Sequence, residues 1–376
     1  MISNNLSKNY FPSLTGVRAL AAYMVFFHHF IPNQGVYSYV NIGYIFSEMH
    51  IGVTLFFVLS GFLIHNRYNK FSEINFTTYW KYFSARIARI FPVFFILTTF
   101  TFVYNYFFDK SDHGLLGKNL ALWILNVSLL KGFFSGLNFS GIAQSWSLTV
   151  EFSFYALAPL LFFKSRNFFF YFTVSVFLFF LGYTLVFIFN KYPLHGFFGD
   201  SKFILSYSFF GRSMEFFAGC FLSSKLESFQ SRNERMNLDT FLGLFFIILT
   251  IYVLSLLRIP MVYGVHSFWG TIINNIILPV FVFIFFRGLI LEKTLVSRLF
   301  SSSFFQLLGK SSYVFYLIHV GFIEKILSHY VNHNLFFLFI LLNIISIGIY
   351  LGIEEPLNSR TKQWLQKINF STFRLK

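Results

Sequence analysis

The sequence predicts an all-α integral membrane protein: a polytopic bundle of about ten transmembrane helices with both termini in the cytoplasm. Three observations predict it. Of the 376 residues, 56% are hydrophobic and only 11% are charged. An ordinary soluble domain carries about 25% charged residues, and so few charges cannot coat an aqueous surface. Apolar runs of about 20 residues, the length a helix needs to cross a bilayer, recur along the whole chain. Lys and Arg are shared unevenly between the connections, as the positive-inside rule requires. The same composition excludes a disordered chain, a collagen and a coiled coil. The single cysteine, Cys220, excludes an internal disulfide framework and a multi-Cys zinc site. The net charge of +15 reads as basic flanks on membrane helices, because no compact basic and aromatic surface suggests a nucleic-acid platform.

In chain order, the expected spans are 14–31, 50–65, 87–108, 146–163, 168–189, 204–222, 239–257, 271–290, 305–328 and 335–353. The first follows Lys8 like a signal sequence. No small-residue cleavage site follows its apolar run, so a retained signal anchor is expected. The second span is the shortest. Residues 119–131 are apolar but too short to cross, which suggests a re-entrant or interfacial segment. With the N-terminus inside, nineteen Lys and Arg fall in inner segments. Six fall outside: Lys110, Lys118, Lys131, Lys191, Lys202 and Arg258. The longest outer loop is 109–145, and no repeat or Pro- and Gly-rich linker divides the chain. One membrane domain over 1–376, without an appended soluble domain, is expected, and its chemistry must sit in the bundle or at its mouths.

A charge deep in a bilayer costs about 2.5–3.5 kcal/mol even on lenient scales, so each one invites an explanation. The first span carries Arg18, His28 and His29. Eleven residues separate Arg18 from His29, about three helical turns and about 16 Å of rise. Both side chains therefore share a face, Arg18 toward the cytoplasm and His29 toward the outer side, while His28 points about 100° away. The simpler account is a snorkelling arginine and an interfacial histidine.

Glu151 lies in the outer part of the fourth span, at the depth of His29. A carboxylate beside an imidazole would orient it and stabilise its protonated form. An ion pair between Glu151 and Arg212 is the alternative, and charge alone leaves both open. Arg212 and Glu215, spaced i, i+3, can pair on one face, and a structural role is favoured there. The ninth span carries Lys310, His319, Glu324 and Lys325. A lone histidine such as His319 is more often a satisfied core residue than a catalytic one. Arg86 and Arg89 open the third span; Arg suits phosphate through its planar fork, although plain positive-inside anchoring explains most such arginines. No metal-ligand spacing, nucleophile elbow or P-loop is present.

Taken together, these segments resemble a known family. LTGVRALAAYMVFFHHF resembles the first helix of the membrane-bound acyltransferase-3 family, with its Arg-x10-His signature on Arg18 and His29. LFFVLSGFLI resembles the second helix, and SARIARIFPVF the basic element before the third. SWSLTVEFSFYALAPLL resembles the segment that places Trp146, Ser147, Glu151 and Tyr155. GRSMEFFAG resembles the Arg-x-x-Glu-Phe element, and LGKSSYVFYLIHV the late element that holds Tyr316 and His319. Glu355–Pro356 resembles the final Glu-Pro. The matches run in order from about 14 to 356. One departure is Thr15, where many members carry Asp.

The resemblance implies a bacterial inner-membrane O-acyltransferase, usually an acetyltransferase, acting on surface or secreted glycans such as O-antigen or exopolysaccharide. It implies acyl-CoA, with acetyl-CoA the default, as a cytoplasmic co-substrate, with no bound cofactor or metal. The implied mechanism docks the donor at Arg86, Arg89 and Arg18. Its pantetheine arm is about as long as the Arg18–His29 separation. His29 then acts as general base on an acceptor hydroxyl, or as the site of an acyl-histidine, and Glu151 orients it. Trp146, Ser147, Tyr155 and the 109–145 loop are placed on the acceptor side; Arg212, Glu215, Tyr316 and His319 are acceptor-side or structural. The competing class is a proton-coupled exporter of a glycan or lipid, which mid-membrane Arg, His and Glu would also suit. Against it, the sequence shows no repeated halves and no matched pair of Gly- or Pro-broken helices.

Overall fold

The computed structural model describes residues 10–31, 42–68, 75–108, 116–161, 167–192, 194–231, 238–259 and 262–367. The expected helix flank at Lys8, the start of the outer loop at 109–115 and the end of the fourth span at 162–163 lie outside them. Among the described residues the structure is helical, with only isolated bridges at Phe134–Phe197 and Ile259–Val262 in place of strands.

Helix α1 is Pro12–Phe30, opened by a proline whose fixed φ suits a first turn. A short helix, Ile42–Ser47, and a tight turn at Met49–Ile51 lead into α2, Gly52–Tyr68. Next come α3, Phe76–Phe108; α4, Leu116–Val127; α5, Trp146–Leu161; and α6, Phe168–Phe189. A short helix, Ser201–Tyr207, precedes α7, Phe209–Ser231. The remainder is α8, Asp239–Leu256; α9, Phe268–Leu291; α10, Ser303–Ile318; α11, Phe322–Tyr330; and α12, Leu335–Lys367. Among the described residues six segments are long and apolar enough to cross a membrane: Ile42–Tyr68, α3, α6, α8, α9 and α12. The other expected spans fall on α1, α5, α7 and α10, which are shorter or carry more polar residues.

Two expectations need correction. The span at 204–222 is two helices, because Ser208 is extended (φ −115°, ψ 159°). The span at 305–328 also breaks: α10 ends at Ile318, and Gly321 takes φ +125° before α11, a conformation an L side chain rarely adopts. Glu324 and Lys325 therefore sit on α11 and line none of the cavities described below. Lys131, counted among the charges of the outer segments, is fully buried and donates to the carbonyls of Ser140 (2.5 Å) and Ile142 (2.8 Å). Burial pushes its amine down from 10.5 to about 7.

The helices nearest the centre approach closely. A Cβ on Gly61 of α2 would lie 1.9 Å from the Phe216 carbonyl oxygen, and one on Gly219 of α7 would lie 1.9 Å from that of Val58. Small residues at such crossings let backbones pack directly, as membrane helices require. This brings the polar faces of α1, α2, α5, α7 and α10 together. On the periphery, α6 is apolar all round, and Phe169 and Phe187 are more than 70% exposed, as suits a helix that meets lipid.

Candidate active site

Three cavities lie in series between the two mouths of the bundle. The first, about 690 Å³, is basic: Arg18, Arg67, Arg86, Arg89, Lys310 and Lys362 line it, with Glu354 and Glu355 on the α12 side. The second, about 60 Å³, shares Arg18, Leu63, Arg86 and Arg89 with the first and adds Ser60, Ser147, Glu151, Tyr155, Tyr313 and Tyr316. The third, about 260 Å³, is lined by His28, His29, His50, His266, Trp146, Tyr207, Tyr263 and Arg212. Val53 and Tyr316 belong to both the second and the third and form the partition between them.

Helix α1 links both ends. Arg18 faces the basic and middle cavities, and its Nε reaches Ser312 Oγ at 3.5 Å. His29 lines the third cavity. His28 lines it too, despite its offset, because its Nδ1 donates to the Ser47 carbonyl at 2.5 Å. Thr15 bonds locally, to the Phe11 carbonyl at 3.3 Å.

Arg86 and Arg89 line the basic cavity beside Arg18, so the predicted cationic set is assembled from α1 and α3. Arg86 donates to Tyr68 Oη at 3.3 Å, and its guanidinium stands 5.5 and 5.8 Å from the Tyr68 and Tyr155 ring centroids. Such stacking holds a buried guanidinium without neutralising it.

Glu151 departs from expectation. It accepts from Ser60 Oγ at 2.8 Å and closely from Tyr155 Oη; among the described residues neither His29 nor Arg212 bonds it. One helical turn separates Glu151 from Tyr155, and that pair turns the carboxylate toward the middle cavity. Arg212 instead pairs with Glu215 at 2.8 Å, the expected i, i+3 bridge, and Thr54 bonds both partners. Trp146 lines the third cavity against Tyr207, ring centroids 5.0 Å apart at 89°. Ser147 lies at the partition, 2.9 Å from Tyr316 Oη.

The partner of His29 is His319, with Nδ1 and Nε2 3.1 Å apart. His319 is fully buried at the end of α10. Gln144 Nε2 sits 2.9–3.2 Å from the carbonyls of Tyr316, Leu317 and Val320 and so satisfies the end of α10 where the helix breaks.

Several site residues escaped the sequence reading: Ser60, Tyr313, Gln144, His50, His266 and the pair Asn274–Asn275. The two asparagines were legible as adjacent amides inside an apolar run. A π turn at Ile273–Ile277 places them at the third cavity, where Asn275 Nδ2 donates to Leu205 O at 2.8 Å. Among the described residues no group of three His, Cys, Asp or Glu is arranged to hold a metal.

The family model described as the acyltransferase domain of acyltransferase-3 proteins matches residues 11–353. The chain is 30% identical over 167 residues to the peptidoglycan O-acetyltransferase OatA of Listeria monocytogenes, covering 41% of this chain and 24% of that protein. It is 30% identical over 164 residues to the acyltransferase MdmB of Streptomyces mycarofaciens, covering 40% and 38%. The putative peptidoglycan O-acetyltransferase YrhL of Bacillus subtilis is 29% identical over 162 residues, covering 40% and 23%. The chain thus matches about a quarter to two-fifths of the length of these relatives. No solved structure matches it significantly. A family match over nearly the whole chain, on a membrane bundle whose Arg18 and His29 open onto cavities at opposite ends of one helix, establishes that the chain belongs to the acyltransferase-3 family.

Proposed function

We propose that the protein is an integral-membrane O-acyltransferase that moves an acyl group, acetyl by family default, from cytoplasmic acyl-CoA to a hydroxyl of a cell-surface or secreted glycan. The observation that carries the reading is the series of cavities: a cationic one, a narrow one and a histidine-lined one, with Arg18 and His29 at its two ends. In this reading the basic mouth and both termini lie in the cytoplasm of a bacterium, in an inner-membrane bundle of about ten crossings. The peptidoglycan acetyltransferases among its relatives are consistent with a saccharide acceptor.

In this reading the phosphates of acyl-CoA meet Arg86, Arg89 and Arg18, whose planar forks suit them. The thin pantetheine arm passes the middle cavity and brings the thioester to the partition at Tyr316. An acceptor hydroxyl in the third cavity attacks the thioester carbonyl. The C–O bond forms as the C–S bond breaks; His29 takes the hydroxyl proton and the departing thiolate receives it. Glu151 acts in the middle cavity, holding Ser60 and Tyr155 around the arm. A wide path for a saccharide is what the exporter reading needs, and the 60 Å³ middle cavity disfavours it.

The direct test is mass spectrometry of surface glycans from cells with and without the protein. A base-labile acyl increment present only with the protein is expected, and its mass names the acyl group. Unmodified glycan in both strains, with altered glycan export, would turn the assignment to a transporter.

A second expectation concerns His266, in the connection between α8 and α9. Burial pushes its ring down from 6.5 to about 4, and the charges of Lys202 and Arg212 add to that. A group with a folded pKa near 4 stays neutral from pH 8 to pH 5. His266→Gln should therefore lower transfer less than about tenfold and leave the acid limb of the pH–rate profile in place, since that limb reports the essential base. A moved limb would transfer the titration to His266.

A further inference from the structure

We infer that Glu354 reads the pantetheine arm of the donor: it accepts a hydrogen bond from the pantoyl hydroxyl or an amide N–H and keeps the diphosphate out of the neck between the first two cavities. This deepens the reading of the basic cavity as the acyl-CoA site and rests on it. Glu354 lies on α12 and lines that cavity. Its side chain is only 8% exposed, and its Oε2 is buried with no hydrogen-bond partner among the described residues. It forms no ion pair among them either. A buried acid left unmatched by the protein is costly, and a ligand that matches it would offset that cost. The backbone sets its pose. Tyr350–Glu354 is a π turn, and the extra residue in that turn brings Glu354 inward while Glu355 stays exposed. Such turns interrupt α-helices mostly at functional sites.

The neighbours of Glu354 define the chemistry it can meet. Basic side chains outnumber acidic ones around this cavity, and Arg89 and Arg18 are the ones that act on Glu354. Both arginines also line the middle cavity, so Glu354 stands beside the place where the wide cavity narrows. Among these cations the acid is a carboxylate, which accepts hydrogen bonds and repels phosphate. Arginines facing a carboxylate suit a ligand whose anionic end is joined to a chain of hydrogen-bond donors. Acyl-CoA has that order, because the pantoyl hydroxyl and the amide N–H groups follow the diphosphate. With the diphosphate on the arginines, those donors come next, at the neck. A nucleotide without the arm offers Glu354 only more negative charge. The carboxylate therefore discriminates by repulsion as well as by attraction.

The test is calorimetric titration of the full chain in detergent with two probes: acetyl-CoA, and adenosine 3′,5′-bisphosphate, which carries phosphates but no arm. Wild type, Glu354→Ala, Glu354→Gln and Arg89→Gln are compared at confirmed unfolding temperature. Glu354→Ala should fold, since it removes a buried charge with no partner. Its Kd for acetyl-CoA should rise about tenfold or more, while its Kd for the bisphosphate stays level or falls. Glu354→Gln keeps an acceptor oxygen and should bind acetyl-CoA several-fold more tightly than Glu354→Ala. Arg89→Gln should weaken both probes, which marks the cavity as the phosphate site. If Arg89→Gln weakens both probes but Glu354→Ala tightens both alike, Glu354 is a counter-charge only and the inference is wrong. If Glu354→Ala weakens both in the same proportion, it acts on the nucleotide or on the arginines, and the inference is again wrong while the donor site stands. If wild type binds neither probe, the acyl-CoA reading of the cavity fails and takes this inference with it.

Discussion

His29→Ala should abolish acyl transfer while the chain stays inserted and folded. A positioned general base contributes typically 10²–10⁴-fold, so the acyl increment on surface glycan should fall at least about 100-fold. The fold should survive, because His29 is only half-buried at a cavity wall and its loss leaves the His319 ring without that hydrogen bond. Such a loss costs about 1–3 kcal/mol, less than the stability of a well-packed bundle. The check pairs glycan mass spectrometry with the amount and unfolding temperature of the extracted protein. Full activity in the variant would remove His29 from the chemistry and leave the cavity series without its base.

Arg18→Gln should weaken the donor rather than the chemistry. A hydrogen bond to a charged group is worth about 1.5–3 kcal/mol, and each 1.4 kcal/mol is tenfold, so KM for acyl-CoA should rise roughly 10–100-fold with kcat little changed. Arg18→Lys should not restore it, since a point charge lacks the planar fork. The variant should fold, because removing a buried cation also removes its desolvation cost. Labelled acyl-CoA binding and steady-state kinetics separate the terms. A fall in kcat at unchanged KM would place Arg18 in the transfer step instead.

Much of the architecture was legible because the bilayer is a demanding solvent. It forces long apolar helices, so α6 and α8 follow their hydropathy almost to the residue. The basic set and the Arg18–His29 spacing were legible because a helix converts sequence separation directly into direction and rise. The breaks at Ser208 and after Ile318 were not, because a window of apolar residues reads the same whether the helix continues or turns. Depth also misled: it placed Glu151 level with His29 yet could not say which way the side chain turned.

By itself the sequence determined the class of the molecule, its family resemblance and the residues whose charge must be explained within a membrane. Only the tertiary structure decided the partners of Glu151 and His29: Ser60 and Tyr155 for the first, His319 for the second. The reason is physical. Periodicity within one helix is local and fixed by backbone geometry. Pairing between helices depends on which faces the close glycine crossings press together, and on which carbonyls a helix break releases.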